Sequence, residues 1–441
     1  AYFKGGHRLR CRCFGAYVFA WGVEAQKMKF VVFSLGCKVN QYEGRSIIKE
    51  LENRGFEATD ALEKADCYIL NTCSVTAEAD KKSRQAVARV LKLNPDAKVV
   101  ICGCSSQNNP KPYENKPNVR LISGTSGKMS IIDSIMSDIV QGNIVKNPPS
   151  EYEDDLYGEL TKTRGFIKVQ DGCNNFCSYC IVPYLRGRSR SRKLESIVKE
   201  AKSMAEKTLE IVVTGINVSA YGKDISLSLC DLVEALNDIP VRKRFGSLEC
   251  NVIDERLLSL MVKDGWCDSF HLSMQSGSDR ILKKMNRKYT SSIFIEKCDL
   301  IRKYFPDAGI TTDVIVGFPT ETEEDFADTV STSQRAGFSQ MHVFPYSVRP
   351  GTVAASLPQV DKAVALSRAK ILRDVADDLH ARFLTSQLGK IKEVYVEEET
   401  EEYSCGFSSD YIKVYSHEKP GEIVKLKMTE IFRDGIKGEK I

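Results

Sequence analysis

The sequence predicts an α/β protein in three parts: an N-terminal α/β domain with a parallel sheet, a central partial (βα)6 barrel and a small C-terminal antiparallel β-barrel. Two observations carry this prediction. Apolar runs of strand length alternate with amphipathic stretches of helix length over most of the chain, which indicates parallel βα units. Near the C-terminus the pattern changes to short β-rich runs separated by glycine and proline, which is typical of a small barrel.

The N-terminal domain is predicted over residues 28–145. Its predicted strands are Phe30–Leu35, Cys67–Asn71, Val99–Cys102 and Val119–Ser123, and its helices are Tyr42–Arg54, Ala77–Leu93 and Ser130–Val140. Right-handed crossovers place the C-terminal ends of all these strands along one edge of the sheet. A polar, acidic stretch with two consecutive prolines follows, and we interpret residues 146–162 as a linker.

The central barrel is predicted over residues 163–385, where a strand followed by a helix recurs six times. The strands are Phe166–Val169, Glu210–Thr214, Phe245–Glu249, Ser269–Met274, Ile310–Val316 and Met341–Pro345; the helices include Leu194–Lys207, Ile293–Tyr304, Glu323–Ala336 and Lys362–Leu388. Barrel chemistry lies at the C-terminal ends of the strands. Residues 386–441 form the last part, with predicted strands Lys392–Glu397, Tyr411–Val414 and Ile423–Met428.

Bulk composition excludes several classes of protein. Hydrophobic residues make up 42% of 441 residues, which argues against global disorder and for a large core. No apolar run approaches the roughly 20 residues that a transmembrane helix needs, so a soluble protein is expected. The formal net charge of +4 arises in residues 1–27, which we interpret as a leader or extension before Met28. Whole-chain charge therefore gives no argument for nucleic acid binding.

The strongest chemical signal is the C-x3-C-x2-C run of Cys173, Cys177 and Cys180, directly after the first barrel strand. Three thiolates on one loop can hold three irons of a [4Fe–4S] cluster and leave the fourth iron open to the amino acid end of S-adenosylmethionine. A zinc knuckle or a redox dithiol is the alternative. Zinc is disfavoured because no nearby cysteine or histidine completes a closed set of four ligands.

A second set of cysteines follows three strands of the N-terminal domain. Cys37, Cys73 and Cys104 are far apart in sequence, but a parallel sheet brings them to one edge. They are either ligands of a second cluster with one free iron or ordinary buried cysteines, and periodicity leaves both open. Cys67 and Cys102 also occur here; strand alternation places Cys102 in the sheet and favours Cys104 as the ligand. The remaining cysteines are expected in packing or surface roles: Cys11, Cys13, Cys230, Cys250, Cys267, Cys298 and Cys405.

The stretch from Gln170 to Arg192 resembles the radical-SAM methylthiotransferases, as does the order of an N-terminal cluster domain, a radical-SAM barrel and a C-terminal TRAM domain. The resemblance covers Met28–Ile441. Ser34–Gln41 and Gln170–Cys177 are most similar to the MtaB subgroup. That subgroup modifies N6-threonylcarbamoyladenosine, next to the tRNA anticodon, at carbon 2 of the base.

The resemblance implies two [4Fe–4S] clusters and two roles for S-adenosylmethionine. One molecule would donate a methyl group to a sulfur associated with the second cluster, and another would give a 5′-deoxyadenosyl radical that abstracts the C2 hydrogen. An external reductant is then required. Cys173, Cys177 and Cys180 would be catalytic, and all six cysteines of the two sets would bind metal.

Polar, glycine and aromatic residues near the strand ends are candidates for S-adenosylmethionine binding, although packing or capping is as good an account of each one singly. They are Tyr179, Gly215, Asn217, Glu249, Ser273, Gln275, Asp313 and Gly317. Arginines beside the cluster loop are candidates for RNA phosphates. They are Arg186, Arg188, Arg190 and Arg192, together with Arg349, for which a structural ion pair is the equal alternative. A second basic group, from Arg280 to Lys288, follows the fourth strand and is a candidate for the same phosphates. For both groups a solvated charged face is the equal alternative.

Three other functions remain open at this point. Related chemistry acts on N6-isopentenyladenosine in tRNA or on an aspartate of a ribosomal protein, and a different class is a non-catalytic, metal-stabilised RNA-binding protein. A threonylcarbamoyl substrate carries a carboxylate and predicts a cation in the pocket, whereas an isopentenyl group predicts an apolar cleft. We expect a cytoplasmic monomer that binds tRNA but neither DNA nor membrane. The C-terminal part departs from this expectation, because Ser386–Ile441 has 9 Lys/Arg and 12 Asp/Glu, which is poor for an RNA-binding module.

Overall fold

The computed structural model describes residues 28–59, 63–137, 142–154, 157–158, 163–263 and 265–441. The leader or extension predicted for residues 1–27 lies outside the described residues, as does part of the predicted linker. A parallel six-stranded sheet, two barrel sheets and a closed barrel follow one another along the described chain, which confirms the predicted fold class.

The N-terminal sheet has the strand order β2-β1-β3-β4-β5-β6, with every pair parallel. Its elements are β1 (Lys29–Ser34), α1 (Lys38–Asn53), β2 (Glu57–Ala58), β3 (Cys67–Thr72), α2 (Ala77–Leu93), β4 (Lys98–Gly103), α3 (Cys104–Asn108), α4 (Lys111–Glu114), β5 (Val119–Ile122), α5 (Lys128–Met136) and β6 (Gly142–Asn143). Helix α1 begins at Lys38, four residues before the prediction, because Cys37 has the extended conformation of an N-cap.

Apolar side chains cover both faces of this sheet. Val87 and Val90 of α2 pack on one face, against strand residues that include Leu70. Ile47 of α1 and Ile131 of α5 pack on the opposite face. Strand β3 is buried along its whole length, as expected for the central strand of a parallel sheet. The cysteines that follow the strands therefore lie at the end of a rigid, double-sided core.

The barrel has six parallel strands in two sheets, β10-β9-β7 and β11-β12-β13, with β8 antiparallel to β7. Its elements are β7 (Gly165–Asp171), α6 (Val182–Arg186), β8 (Arg190–Ser191), α7 (Leu194–Ala205), β9 (Glu210–Gly215), α8 (Leu229–Asn237), β10 (Arg242–Phe245), α9 (Glu255–Met261), β11 (Ser269–His271), α10 (Asp279–Lys284), α11 (Ser291–Tyr304), β12 (Gly309–Val316), α12 (Glu323–Ala336), β13 (Gln340–Pro345) and α13 (Lys362–Gln387). Isolated bridges such as Leu248–Leu272 join the two sheets.

The predicted third barrel strand, Phe245–Glu249, is wrong in position. Strand β10 begins at Arg242 and ends at Phe245, so three of its four residues are basic. They are buried all the same: Arg242 and Arg244 pair with Glu210, which lies at the start of the neighbouring strand. Such a strand can be buried because a carboxylate elsewhere in the sequence neutralises its charges. It was not predicted because it has no apolar pattern.

The N-terminal domain contacts both edges of the partial barrel. On one side α1 packs against β7 and β9. On the other side, after β13, Ser347 Oγ accepts a hydrogen bond from the Ala77 amide at 3.2 Å. Arg349 Nη2 donates to Ser74 Oγ at 2.7 Å, one residue after Cys73. The residues that follow β1 and β3 therefore face the open side of the barrel.

The C-terminal part is a closed five-stranded barrel in the order β14-β15-β16-β18-β17. Its strands are β14 (Ile391–Glu399), β15 (Ser404–Ser408), β16 (Lys413–Ser416), β17 (Ile423–Phe432) and β18 (Gly435–Lys440). The pairing is antiparallel as predicted, except that β16 and β18 are parallel. Strands β15 and β18, which contain one and two glycines, were not predicted. Across the described ranges, no helix is long and apolar enough to span a bilayer.

Candidate iron–sulfur active site

The loop between β7 and α6 carries Cys173, Cys177 and Cys180. Backbone hydrogen bonds fix it, from the Cys173 amide to Gly187 O (3.1 Å) and from the Cys180 amide to Cys177 O (2.9 Å). Gly172 precedes the loop with a φ of +69°, and a Cβ there would overlap the Arg188 backbone. Only glycine therefore allows the first thiol to turn away from the strand at this point.

The residues after α10 hold the same loop from the other side. Asn286 Nδ2 donates to the carbonyl oxygens of Asn175 and Phe176, both at 3.1 Å. The Ser178 amide donates to Met285 O at 3.0 Å. Phe176 has a φ of +47°, which is unfavourable for an aromatic residue and is maintained by these contacts.

The three thiols fit a cluster that supplies positive charge. Burial raises the pKa of Cys173, and it raises the pKa of Cys180 to about 12. Bound iron stabilises the thiolates that burial disfavours. Two donors already point at the sulfurs: Asn217 Nδ2 lies 3.7 Å from Cys173 Sγ, and Arg287 Nη1 lies 3.5 Å from Cys177 Sγ. These donors suit sulfurs that carry negative charge.

Arg287 has a role that the sequence did not reveal. It belongs to the basic group after the fourth strand, which the sequence makes a candidate for RNA contact. Its side chain instead points inward, pairs with Glu249 at 3.4 Å and donates to Ser273 O at 3.1 Å. Burial opposes its charge, but Tyr289 and other groups around the cluster loop outweigh that effect and raise the pKa of Arg287. Lysines on both sides in the sequence concealed it within a basic run.

Two of the predicted strand-end residues, Gly215 and Asn217, lie beside the cluster loop. The Asn217 amide donates to Gln170 Oε1 at 2.7 Å. A Cβ on Gly215 would lie 3.0 Å from Gln170 O, so the glycine permits this close approach. Glu249 accepts a hydrogen bond from Asn175 Nδ2. A polar cleft of about 430 Å³ opens here, lined in part by Asn175, Asn217, Ser219, Glu249 and Lys288.

Ser273 and Gln275 follow the end of β11, and Asp313 lies within β12. The Ser273 and Ser247 hydroxyl oxygens are 3.1 Å apart. Gln275 has a φ of +65°, and its amide donates to Asp313 O at 2.9 Å. Asp313 Oδ2 lies 3.3 Å from His271 Nε2. These side chains form a second polar wall at the C-terminal end of the barrel.

An apolar wall completes the end of the barrel. The Tyr179 ring lies edge to face with Phe318, 6.5 Å between centroids, and Phe318 contacts Tyr346 in the same way at 5.6 Å. Gly317 has a φ of +66°, and a Cβ there would overlap Ala365 of α13. That glycine is therefore needed for packing against α13. Phe318 is fully buried and supports the Tyr179 ring, which is partly exposed and is the member of this wall that can offer an apolar face to an adenine.

The second set of cysteines lies where the parallel sheet predicts. Cys37, Cys73 and Cys104 follow β1, β3 and β4, and Cys37 is exposed while the other two are buried. Gly36 has a φ of +91°, and a Cβ there would overlap Cys73 Sγ. Gly103, with a φ of +97°, makes a similarly close approach to the β3 backbone. The two glycines therefore bring the three loops together.

The other two cysteines of this domain have packing roles. Cys67 is fully buried within β3, and Cys102 is fully buried in β4. Burial raises the pKa of Cys104 to about 11, with further contributions from the nearby Cys37 and Cys73 thiols. In the described ranges no three His, Cys, Asp or Glu side chains converge on one metal ion. A cluster needs no such convergence, because each thiolate binds a different iron.

The structure corrects the prediction that Arg186, Arg190 and Arg192 contact RNA, because all three are at most 2% exposed. Arg190 pairs with Asp171 at 3.2 Å, and Arg192 pairs with Glu200 and Asp154. Buried guanidinium groups in ion pairs are not available to phosphates. Arg349 is corrected in the same way, since it is 5% exposed and bonds to Ser74.

Arg186 forms the centre of a buried charge network between the two domains. Its Nη1 lies 2.8 Å from Glu43 Oε1 of α1 and 3.2 Å from Asp171 of β7. Lys168 contacts the same two carboxylates at 2.8 and 2.6 Å. Burial disfavours the Glu43 carboxylate, but Arg186 and Lys168 outweigh it and lower the pKa of Glu43 to about 2. Helix α1, which follows Cys37, is thereby fixed to the strand that precedes Cys173.

Lys38 is the residue after Cys37 and has an unusual environment. Burial, with the nearby Arg244 and Arg164 guanidinium groups, lowers the pKa of Lys38 to about 8, while Glu210 and Asp313 act in the opposite direction. These neighbours belong to the barrel, so the ammonium group extends from the N-terminal domain towards the barrel strands. No hydrogen bond or ion pair joins it to another residue in the described ranges.

Comparisons with known proteins agree with this geometry. Residues 167–332 match the family described as Radical SAM superfamily, and residues 29–124 match the one described as Uncharacterized protein family UPF0004. Among solved structures, the radical S-adenosylmethionine methyltransferase TsrM from Kitasatospora setae has a TM-score of 0.56 at 16% identity, covering 75% of this chain and 77% of that chain. This likeness concerns the fold alone.

Curated relatives give a closer match. The threonylcarbamoyladenosine tRNA methylthiotransferase MtaB of Bacillus subtilis is 36% identical over 416 residues, which are 90% of this chain and 92% of that protein. The tRNA-2-methylthio-N(6)-dimethylallyladenosine synthase of Alkaliphilus oremlandii is 36% identical over 393 residues, 84% of this chain and 82% of that protein. With both cysteine sets in place on a radical-SAM barrel, the chain belongs to the radical-SAM methylthiotransferase family, in its MtaB group.

Proposed function

We propose that this protein converts N6-threonylcarbamoyladenosine, next to the tRNA anticodon, to its 2-methylthio derivative. The observation that carries the proposal is the match to MtaB relatives over nearly their whole length, in a chain that retains two separate sets of three cysteines. A non-catalytic metal-stabilised RNA-binding protein would need neither set to be arranged around an open iron position.

Cys173, Cys177 and Cys180 hold one [4Fe–4S] cluster, and Cys37, Cys73 and Cys104 hold the other. When bound, the clusters and S-adenosylmethionine supply the electron transfer, radical, methyl and sulfur chemistry. The chain's own residues bind and orient. The candidates for binding and orienting S-adenosylmethionine are the residues named above near the strand ends, to which the geometry adds Arg287. They are Tyr179, Gly215, Asn217, Glu249, Ser273, Gln275, Asp313 and Gly317.

Each of these residues has a distinct physical task. Asn217 and Arg287 donate hydrogen bonds to two of the cluster thiolates and stabilise their negative charge. Glu249 and Ser273 offer oxygen acceptors to the ammonium or ribose hydroxyl groups of S-adenosylmethionine. Tyr179 and the apolar wall beside it exclude water from the reacting groups.

Lys38 supports the threonylcarbamoyl substrate over its isopentenyl counterpart. The threonylcarbamoyl group carries a carboxylate, and the isopentenyl group carries no charge. Lys38 directly follows Cys37 and makes no hydrogen bond or ion pair in the described ranges, and we take it as the candidate for the cation that the first substrate requires. An apolar side chain at this position would favour the second substrate. The remaining parts of the proposal are an external reductant, a monomeric state and a cytoplasmic location.

The test is nucleoside mass spectrometry of tRNA. The reconstituted enzyme is incubated anaerobically with S-adenosylmethionine, a reductant, sulfide and tRNA that carries threonylcarbamoyladenosine. We expect that nucleoside to gain a methylthio group, that Cys177→Ala abolishes the gain, and that Cys405→Ala, in the C-terminal barrel, leaves it unchanged. If S-adenosylmethionine is cleaved but threonylcarbamoyladenosine stays unchanged, while a parallel reaction modifies tRNA that carries isopentenyladenosine, the substrate is wrong. If no cleavage occurs with both clusters loaded, the proposal fails.

A further inference from the structure

We propose that Phe176, Tyr184 and Arg188 form a stacking platform for a tRNA nucleotide that flanks the modified adenosine. The proposal rests on the proposed function, because it takes the RNA loop as the occupant. These three residues, hereafter the cluster-loop platform, lie beside the thiols of the barrel cluster and were not assigned a common role by the sequence.

The platform has the geometry of an aromatic surface topped by a cation. The Phe176 and Tyr184 rings meet edge to face, with 5.7 Å between their centroids. The Arg188 guanidinium lies over the Phe176 ring at 4.6 Å. Tyr184 is 54% exposed, so much of its ring is open to solvent. A base can stack on such an aromatic face regardless of its identity, and a guanidinium adds a planar, charged edge.

Charge separates Arg188 from its neighbours in the basic run. Arg186, Arg190 and Arg192 are buried in ion pairs. Arg188 is exposed, and no carboxylate pairs with it in the described parts of the chain. Its donors are therefore available to a phosphate, for which a planar guanidinium is well suited. An aromatic surface with an unpaired cation is better suited to bind a nucleotide than to bind the apolar surface of another protein.

The location of the platform connects it to both sets of cysteines. Phe176 immediately precedes Cys177, and the two bonds from Asn286 hold its backbone. Tyr184 lies on α6, whose Leu185 packs together with Cys104 of the auxiliary set. The modified base must leave its stack to reach the space between the clusters. A neighbouring nucleotide that restacks on Tyr184 recovers part of that cost.

The experiment measures RNA affinity of the holoenzyme with both clusters loaded. The probe is an anticodon stem–loop that carries threonylcarbamoyladenosine, and its binding is measured by fluorescence anisotropy under anaerobic conditions. Tyr184→Ala and Arg188→Ala should each weaken binding by about 5- to 100-fold, the range of one lost base-stacking contact. Tyr184→Trp, which keeps an aromatic ring at this position, should bind RNA with about the affinity of the wild type. Arg188→Ala should also reduce the slope of log affinity against log salt by about one.

Controls separate RNA binding from support of the cluster. Arg256→Ala, at an exposed site on α9, should leave affinity unchanged. Iron content and RNA-independent cleavage of S-adenosylmethionine should match the wild type in Tyr184→Ala and Arg188→Ala; if these are lost, the residues serve the cluster loop and the proposal is overturned. RNA affinity within twofold of the wild type in both variants overturns the proposal as well. This holds also if the variants slow reduction of the enzyme by a protein electron donor, because the platform would then bind that donor and not RNA. A wild type that binds RNA through the platform but forms no methylthio product overturns the proposed function alone.

Discussion

Replacing Arg186 by methionine is expected to loosen the N-terminal domain from the barrel. Arg186 is fully buried and donates to Glu43 and Asn40 of α1 and to Asp171 of β7. Methionine has a similar length but carries neither charge nor donors. The two carboxylates would then remain buried with fewer cations, and that unpaired charge is the source of the instability.

The size of the effect follows from the partners that remain. Removing one member of a buried ion pair costs about 3–5 kcal/mol. Glu43 keeps Lys168 at 2.8 Å, and Asp171 keeps Lys168 at 2.6 Å and Arg190 at 3.2 Å, so we expect the lower end of this range. The depressed pKa of Glu43 gives a similar figure. A fall from 4.5 to about 2 corresponds to about 3 kcal/mol of net stabilisation of the carboxylate, after the opposing effect of burial is included.

Hydrogen exchange measures this loss locally, which matters because a chain with several domains has no single free energy of unfolding. Peptides from α1 and β7 should exchange about 100-fold faster in Arg186→Met, as a loss of about 3 kcal/mol implies. Arg54→Met is the matched control. Arg54 lies at the end of the same helix and pairs with Glu50 and Asp133, but it is 26% exposed, so its loss should cost less than about 1 kcal/mol.

The reasoning is refuted if exchange in α1 and β7 changes less than threefold in Arg186→Met, or no more than in Arg54→Met. In that case desolvation of the buried charges would cancel their attraction, as continuum arguments allow for some buried pairs. A second readout follows from the position of the network between the two cysteine sets. Cleavage of S-adenosylmethionine should persist in Arg186→Met while methylthio transfer falls, because only the second reaction needs both sets in register.

Three further outcomes are expected. Cys73→Ala should retain cleavage of S-adenosylmethionine but form no methylthio nucleoside, as mass spectrometry of the same reaction would show. Lys38→Met should lower kcat/KM for tRNA bearing threonylcarbamoyladenosine by about 10- to 100-fold, the value of one charge-assisted hydrogen bond, and should not lower it for the isopentenyl substrate; equal losses on both would contradict the assigned role. Glu43→Gln should destabilise α1 at pH 7, and because the folded-state pKa of Glu43 is depressed, the difference from wild type in hydrogen exchange should persist above pH 4.5 and shrink as the pH falls towards 2.

Elements with strong local signals were predictable from the sequence to the residue. Helices Ala77–Leu93 and Glu323–Ala336 match the prediction at both ends. Thr76 and Thr322 cap their first turns through side-chain oxygens, and Gly337 ends the second helix in a left-handed conformation. These signals lie within a few residues of the helix that they delimit, so no knowledge of the tertiary structure is needed.

The positions of the two cysteine sets were predictable for a related reason, because spacing on one loop and strand ends in a parallel sheet are features of topology. That the two sets hold iron–sulfur clusters stays a prediction. The arginines were not. Whether Arg186 meets a phosphate or a carboxylate depends on Glu43, which is 143 residues away in sequence. The buried basic strand β10 was misplaced for the same reason, since Glu210 of another strand neutralises it. Charge alone does not distinguish a buried network from an exposed nucleic acid surface.

This distinction changes how the protein's charge relates to its proposed substrate. Under the proposed function, two reactions at two clusters need a fixed distance between the cysteine sets. The buried charges of α1, β7 and α6 fix the two domains to each other, and the basic groups that do so are not available to RNA. RNA affinity must then come from few exposed residues, of which Arg188 is the member of the run that remains open. Loss of one such contact should therefore weaken tRNA binding strongly, whereas loss of one buried arginine should disturb domain register with little effect on binding. The two classes of variant, compared in the same assays, separate the scaffold from the recognition surface.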